Sequence, residues 1–275
     1  MARVVLILGC GWLAACGPGS GTVSTQQLAN DVDTWTLTVR VPPSYARDDG
    51  RRYPWILQLD GRVPSLMELD VTSRAASDLE AAGALNEVIV VGINSASGEG
   101  EGKGRNRDYT IPSNEPDPFG GTGGAPQFLS FVRSEVIPFV EREYRVKPGR
   151  EGRALFGHSL GGLFGAFTFV EADAPPFDFI CAASPSLVYV GGVIHGQLEA
   201  MDSTRAVPRT VLLTAGTLEG PEMVVSTRRF AQQAQEKNFS GLEVFEQEFP
   251  VDHIGNVEPS FRAALQLLHS RGWDQ

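Results

Sequence analysis

Residues 154–167 read ALFGHSLGGLFGAF, a single serine set among glycines between two apolar runs. The central GHSLG, 157–161, matches Gly-x-Ser-x-Gly, the turn in which a strand breaks sharply into a helix and a strained serine presents its hydroxyl above a sheet. In a chain with 31 glycines three fixed positions are a weak signal, so the flanks decide. Upstream, RALFGHS (153–159) reads as a strand, and downstream, LGGLFGAFTFVEA (160–172) reads as a helix. That order is the one the motif needs, which favours a catalytic turn over a glycine-rich packing turn.

Outward from the turn, apolar β-prone runs alternate with helical stretches: TWTLTVRVP (34–42), YPWILQLDG (53–61), EVIVVGIN (87–94), FDFICAAS (177–184), RTVLLTAG (209–216) and LEVFEQEFP (242–250). Such alternation predicts an α/β fold, a mostly parallel central sheet with helices on both faces. The first run alternates polar with apolar, as an antiparallel edge strand does, so the sheet is expected to be mixed. In PQFLSFVRSEVIPFVEREY (126–144), Phe128, Phe131, Val132, Ile137, Val140 and Tyr144 recur at helical spacing, and Pro138 is expected to kink or break that helix. The segment 95–125 is rich in glycine, proline and polar residues and is expected to be one long loop.

The chain has 275 residues, 42% of them hydrophobic, enough for one domain with a sizeable core. A net charge of −10 argues against nucleic acid as a partner and against attraction to anionic lipid headgroups. Arg3 followed by the apolar run from Val4 to about Ala15 has the form of a targeting segment too short to span a bilayer. Its end, LAAC at 13–16, resembles the lipobox of bacterial lipoproteins, with Cys16 as the lipidated residue. The expected organisation is a signal segment over 1–16, a flexible tether over 17–30 and a single domain over 31–275. Localisation is then the bacterial cell envelope, with the membrane touched only through the anchor. Of the remaining cysteines Cys10 leaves with the signal, and Cys181, inside an apolar run, is expected to be a core residue. No metal-ligand spacing occurs and no cofactor is expected.

A serine hydroxyl needs a base within hydrogen-bond reach and donors for the oxyanion. The chain has 4 histidines. His158 lies inside the turn, His195 comes too early for the order serine, acid, histidine, and His269 sits near the end of the terminal helix. His253, just after the last strand, is the expected base. The acid should lie in the loop after the preceding strand, where Glu219 is first and Glu222 second; Asp252, adjacent to His253, is disfavoured. The N–H of Leu160 should be one oxyanion donor, and the loop after YPWILQLDG should supply the other, with Arg62 favoured.

From about residue 30 to the end, these pieces resemble the "putative esterase" family of α/β-hydrolases, in particular its siderophore (enterobactin-type) esterase branch. The resemblance rests on YPWILQLDG, RNRDYTIPS, GGAPQFLSFVRSEVIPFVEREYRV, ALFGHSLGGLFGAF, AASPSL, AGTLEGPEM and DHIGNVEPSFRAAL, in the family's order. It implies the α/β-hydrolase fold and a serine esterase with Ser159 as nucleophile, His253 as base and Glu219 as acid, acting through an acyl-enzyme on small esters. The chain departs from relatives at Val188–Tyr189, where an aromatic pair is common, and at Arg62, where asparagine is common. Arg62, Arg105, Arg107, Tyr109 and His158 are the candidate substrate contacts, the arginines forming a positive patch if the long loop folds over the site. Ser184 and Ser186 are expected to line or shape the pocket. Two other readings are an acyltransferase on the same fold and a lipid-anchored binding protein without turnover. Oligomeric state is left open.

Overall fold

The computed structural model describes residues 7–13, 21–61, 68–95, 103–113, 122–171 and 174–275. Nine strands form one sheet in the order β1-β2-β3-β5-β4-β6-β7-β8-β9. In chain order they are β1 (Ile7–Leu13), β2 (Thr22–Ala29), β3 (Thr34–Val41), β4 (Trp55–Leu59), β5 (Ile89–Ser95), β6 (Arg153–His158), β7 (Phe179–Ala183), β8 (Thr210–Gly216) and β9 (Glu243–Phe249). From β5 to β9 all neighbours are parallel, while β1, β2 and β3 add antiparallel strands beyond β5. All seven runs read as strands from the sequence are strands here. The interior parallel strands are buried on both sides, which is why β4, β7 and β8 are apolar nearly throughout, whereas the edge strand β9 is only partly buried.

Two expectations change. β3 is antiparallel as predicted but is not an edge, because β2 pairs with it along its full length, Thr22 with Val41 through Ala29 with Thr34. The tether expected over 17–30 is therefore a strand from Thr22 onward, and Ile7–Leu13, read as leader, pairs with β2 as the outermost strand. Strand edges carry unpaired N–H and C=O groups that recruit any neighbouring extended segment; a composition reading does not see this. Cys16 and the stretch 14–20 lie outside the described residues.

Helices cover both faces. On one lie α1 (Glu68–Ala81) and α8 (Val257–Ser270), packed on Ile56, Val90, Phe156, Cys181 and Leu212. On the other lie α2 (Lys103–Tyr109), α3 (Ala125–Phe131), α4 (Ile137–Glu143), α5 (Leu160–Glu171), α6 (Tyr189–Ala200) and α7 (Pro221–Glu236), whose apolar sides meet the alternate residues Trp55, Leu57, Leu59, Val91 and Leu155. Period-2 alternation along each strand thus divides one sheet between two cores. Pro138 breaks its helix as expected: α3 and α4 are joined by a π-helical turn, Val132–Val136, in which the Ile137 N–H reaches back to the Val132 C=O. Proline removes a donor and crowds the preceding turn, and widening the helix relieves both. The expected long loop is interrupted by α2, a helix fixed by Tyr109, which is buried against Phe128 and Phe164, and by the ion pairs of Arg105 and Arg107. These are tertiary contacts, so no local periodicity announces them. Cys181 is buried as expected, and burial pushes its thiol far up.

Register also orients the two ends of the sheet. Trp35 pairs with Ser95 and Arg40 with Val90, so β3 starts at the edge where the parallel strands end. Thr22 pairs with Val41, which puts the start of β2 at the opposite edge.

Candidate active site

β6 ends at His158 and α5 begins at Leu160, leaving Ser159 alone to turn the chain. Its φ is +59°, in the left-handed region that costs a residue with a Cβ roughly 1–2 kcal/mol. The turn is possible because the flanking glycines touch: a Cβ on Gly157 would lie 2.2 Å from the Gly161 carbonyl oxygen. The Ser159 N–H donates to Ala183 C=O at 3.0 Å, and its C=O accepts from the N–H groups of Leu163 and Ser186, each at 3.0 Å. Neighbouring strands and the new helix therefore hold the strained residue. Asp60 (φ 55°) and Ser184 (φ 41°) also have positive φ, and they stand at the ends of β4 and β7. Strain gathered at one sheet edge is a mark of a functional site.

Glu219 and His253 come from the loops after β8 and β9. His253 Nδ1 lies 2.9 Å from Glu219 Oε2. A carboxylate only accepts, so Nδ1 carries a proton, and in the neutral ring that leaves the Nε2 lone pair a general base needs. Glu219 Oε1 accepts from the Gly216 N–H at 2.5 Å and from the Ser184 hydroxyl. With its side chain 1% exposed, burial pushes the carboxyl up, but the bonds from His253, Ser184 and Gly216 outweigh it and hold the group below the ordinary range of a glutamate. The two loops are stitched together: Thr217 N–H donates to Phe249 C=O at 2.7 Å and Leu218 N–H to Val251 C=O at 3.1 Å. They approach so closely that a Cβ on Gly216 would sit 2.4 Å from the Val251 oxygen.

The third pair is not joined by a hydrogen bond. Among the described residues none links His253 to the Ser159 hydroxyl, which lies 3.3 Å from Ser186 Oγ instead. His158 ties the two loops: its Nε2 is 2.8 Å from the His253 carbonyl oxygen, and the two rings lie 4.6 Å apart. Because burial pushes His158 down, the ring is neutral and donates through Nε2–H.

Behind the acid runs a polar chain that the sequence did not reveal. Asn256 Nδ2, fully buried, donates to Ser184 Oγ at 2.7 Å and to Thr214 Oγ1 at 3.4 Å, and Thr214 Oγ1 is 2.6 Å from Ser260 Oγ. Ser184, expected to line the pocket, is buried and holds Glu219. The available signal was a hydroxyl in the apolar run TVLLTAG and an asparagine three residues past the base, each meaningful only once the loops converge.

The remaining site residues divide clearly. Leu160 begins α5 directly after Ser159. Arg62 lies outside the described residues. Glu222 is exposed in the first turn of α7, where a carboxylate favours the helix N-terminus. Asp252 accepts from the Gly255 N–H and shapes its own loop. His195 is bound by Gln233 and Ser226, and His269 by Asp274. Four candidate substrate contacts have protein partners of their own. Tyr109 is a core residue whose OH accepts from the Asp60 N–H. His158 is buried beneath the base. Arg105 is gripped by both oxygens of Asp60, at 2.9 Å each. Arg107 is paired with Asp33 and Asp108. The positive patch is thus paired with carboxylates, two of which, Asp60 and Asp33, are distant in sequence.

The model of the family described as "Putative esterase" matches residues 33–254. The ferri-bacillibactin esterase BesA of Bacillus subtilis is 30% identical over 142 residues, 48% of each chain. A siderophore enterobactin esterase of Emericella nidulans is 45% identical over 85 residues, 29% of this chain and 27% of that protein. The matched stretches thus span about half of the first relative and about a quarter of the second. Among solved structures, an IroE-like serine hydrolase from Shewanella oneidensis superposes with a TM-score of 0.73 at 20% identity, covering 90% of this chain and 80% of that one. At that identity the likeness shows the fold.

Proposed function

The chain belongs to the "Putative esterase" family, and from that membership we propose that it is a serine carboxylic ester hydrolase working through an acyl-enzyme on small, siderophore-like esters. The observation that carries the reading is the Glu219–His253 contact of 2.9 Å, set beside a serine at φ +59°.

In the proposed cycle Ser159 turns its hydroxyl from Ser186 toward His253 Nε2 as substrate enters, a rotation in keeping with catalytic bonds that tighten only in the complex. His253 takes the proton as Oγ attacks the ester carbonyl, and Glu219 stabilises the imidazolium through Nδ1–H. The Leu160 N–H and a donor from the loop after β4, for which Arg62 is the choice, hold the oxyanion. His253 returns the proton to the leaving alcohol, and water repeats the sequence to free the acid. The low carboxyl of Glu219 suits this role, because it stays ionised as the imidazole takes up and returns the proton.

Ser159→Ala is expected to lower turnover of p-nitrophenyl butyrate by on the order of 10⁴-fold or more and to abolish labelling by a fluorophosphonate. Wild-type rates in that variant would refute the assignment. We also propose export with lipid attachment at Cys16. In such a mature chain residues 1–15 are removed and β2 becomes the sheet edge. Cys16→Ser is expected to move the protein from the membrane to the soluble fraction, and an unchanged distribution overturns the anchor. No described helix is long and apolar enough to cross a membrane.

A further inference from the structure

The loop after β4, from which the second oxyanion donor is drawn, leaves the sheet at Asp60 and Gly61, and both are fixed from several sides. Asp60 has φ 55°, a left-handed conformation that a residue with a Cβ keeps only where its surroundings impose it. Its N–H donates to the Tyr109 hydroxyl at 3.2 Å, and each of its carboxylate oxygens accepts from the Arg105 guanidinium at 2.9 Å. The Gly61 N–H donates to the Ile93 C=O at 3.4 Å. Gly61 lies so close to β5 that a Cβ on it would sit 2.3 Å from the Gly92 Cα.

Arg105 and Tyr109 both belong to α2, and α2 is docked on α5 by the Tyr109 ring, 6.0 Å from that of Phe164. Asp60 also reaches the start of α5, since a Cβ on Gly161 would lie 3.5 Å from Asp60 Oδ2. Leu160, whose N–H is the first oxyanion donor, is the residue before Gly161. The carboxylate therefore stands between the two sources of oxyanion donors. Being buried, it needs a counter-charge, and Arg105 supplies one in a bidentate geometry that also fixes its direction.

We infer that Arg105 and Tyr109, acting through Asp60, are positioning residues that hold the loop after β4 against the start of α5, so that both donors meet one oxyanion; this rests on the hydrolase reading above. Oxyanion donors act over a narrow range, about 2.7–3.1 Å, and losing one costs about 10²–10³ in kcat, so a donor loosened but not lost should cost about tenfold. The test compares p-nitrophenyl butyrate with its thionoester, in which sulfur replaces the carbonyl oxygen. Sulfur is a weak hydrogen-bond acceptor, so an intact oxyanion hole favours the oxygen ester and a loosened one narrows the gap.

Arg105→Gln is expected to lower kcat for the oxygen ester about tenfold with little change in KM, and to lower the oxygen-to-sulfur ratio of kcat about fivefold. Tyr109→Phe keeps the ring in the core and deletes only the hydroxyl; it should lower the ratio about threefold. Arg105→Lys, which keeps the charge, should recover part of the loss. Arg40→Gln breaks the bidentate Arg40–Glu80 pair at the opposite sheet edge; it should destabilise the fold and leave the ratio unmoved. Should Arg105→Gln not fold, Tyr109→Phe decides. A wild-type ratio in Arg105→Gln and Tyr109→Phe overturns the inference, and so does an equal fall in Arg40→Gln, the sign of general loosening. A raised KM with unchanged kcat in Arg105→Gln would make Arg105 a substrate contact and overturn it too. If wild type hydrolyses neither ester and no fluorophosphonate labels Ser159, the hydrolase reading falls and the inference with it; hydrolysis with a ratio indifferent to these variants sinks the inference alone.

Discussion

Ser184→Ala removes one hydroxyl from the chain that holds the acid. In the wild type that hydroxyl donates to Glu219 Oε1 and accepts from Asn256 Nδ2. After the substitution Oε1 keeps the Gly216 N–H, and Asn256 keeps a long contact to Thr214. A hydrogen bond to a charged group contributes about 1.5–3 kcal/mol, so unfolding at pH 7 should be easier by about 2 kcal/mol. A carboxylate freer to swing orients the imidazole less well, and kcat should drop by about tenfold with little change in KM, the pattern for a contact that matters in the transition state.

The sign of the pH dependence follows from the depressed carboxyl. Stability from this bond is present above the unfolded glutamate value of about 4.3 and is lost as pH falls through the lower folded value. The gap between wild type and variant in urea unfolding should therefore be full at pH 7 and shrink below pH 4. Backbone strain gives an internal control. Ser184 has φ 41°, so Ser184→Gly loses the same hydroxyl but relieves about 1 kcal/mol of strain. It should be more stable than the alanine variant yet equally slow. Alanine and wild type with the same kcat and the same unfolding midpoint at pH 7 would refute this reasoning.

His158→Leu deletes the donor to the His253 carbonyl; turnover should fall about tenfold while fluorophosphonate labelling slows in parallel, since both need the same imidazole. His158→Gln, which can still donate, should recover part of that loss. Arg105→Ala leaves the buried Asp60 carboxylate without its bidentate partner and should destabilise the protein by about 3 kcal/mol in denaturant unfolding; a change under about 0.5 kcal/mol would show that the pair is replaceable by water.

Much of this protein is legible in one dimension. Strands buried on both faces must be apolar throughout, so β4 to β8 announce themselves, and a serine forced into the left-handed region needs glycines on both sides, so the elbow does too. Chain order set aside His195, and position along the elements set aside Glu222, His158 and His269, which left Glu219 and His253 as the expected acid and base; the structure brings these two within 2.9 Å. Pro138 marked its break because proline's missing donor acts locally.

What resisted reading depends on groups far apart in sequence. Whether Arg105 and Arg107 stand free for a ligand is decided by Asp60, Asp33 and Asp108, and two of these partners are tens of residues away. The grip of Ser184 on Glu219, the support of Asn256, the tie from His158 to the His253 carbonyl and the pairing of β2 with β3 arise only when strand ends are brought to one edge. Propensity, periodicity and motif are local properties of the chain and survive in the bare sequence. Ion pairing and the satisfaction of buried polar groups are properties of distances between loops, and only tertiary packing sets those.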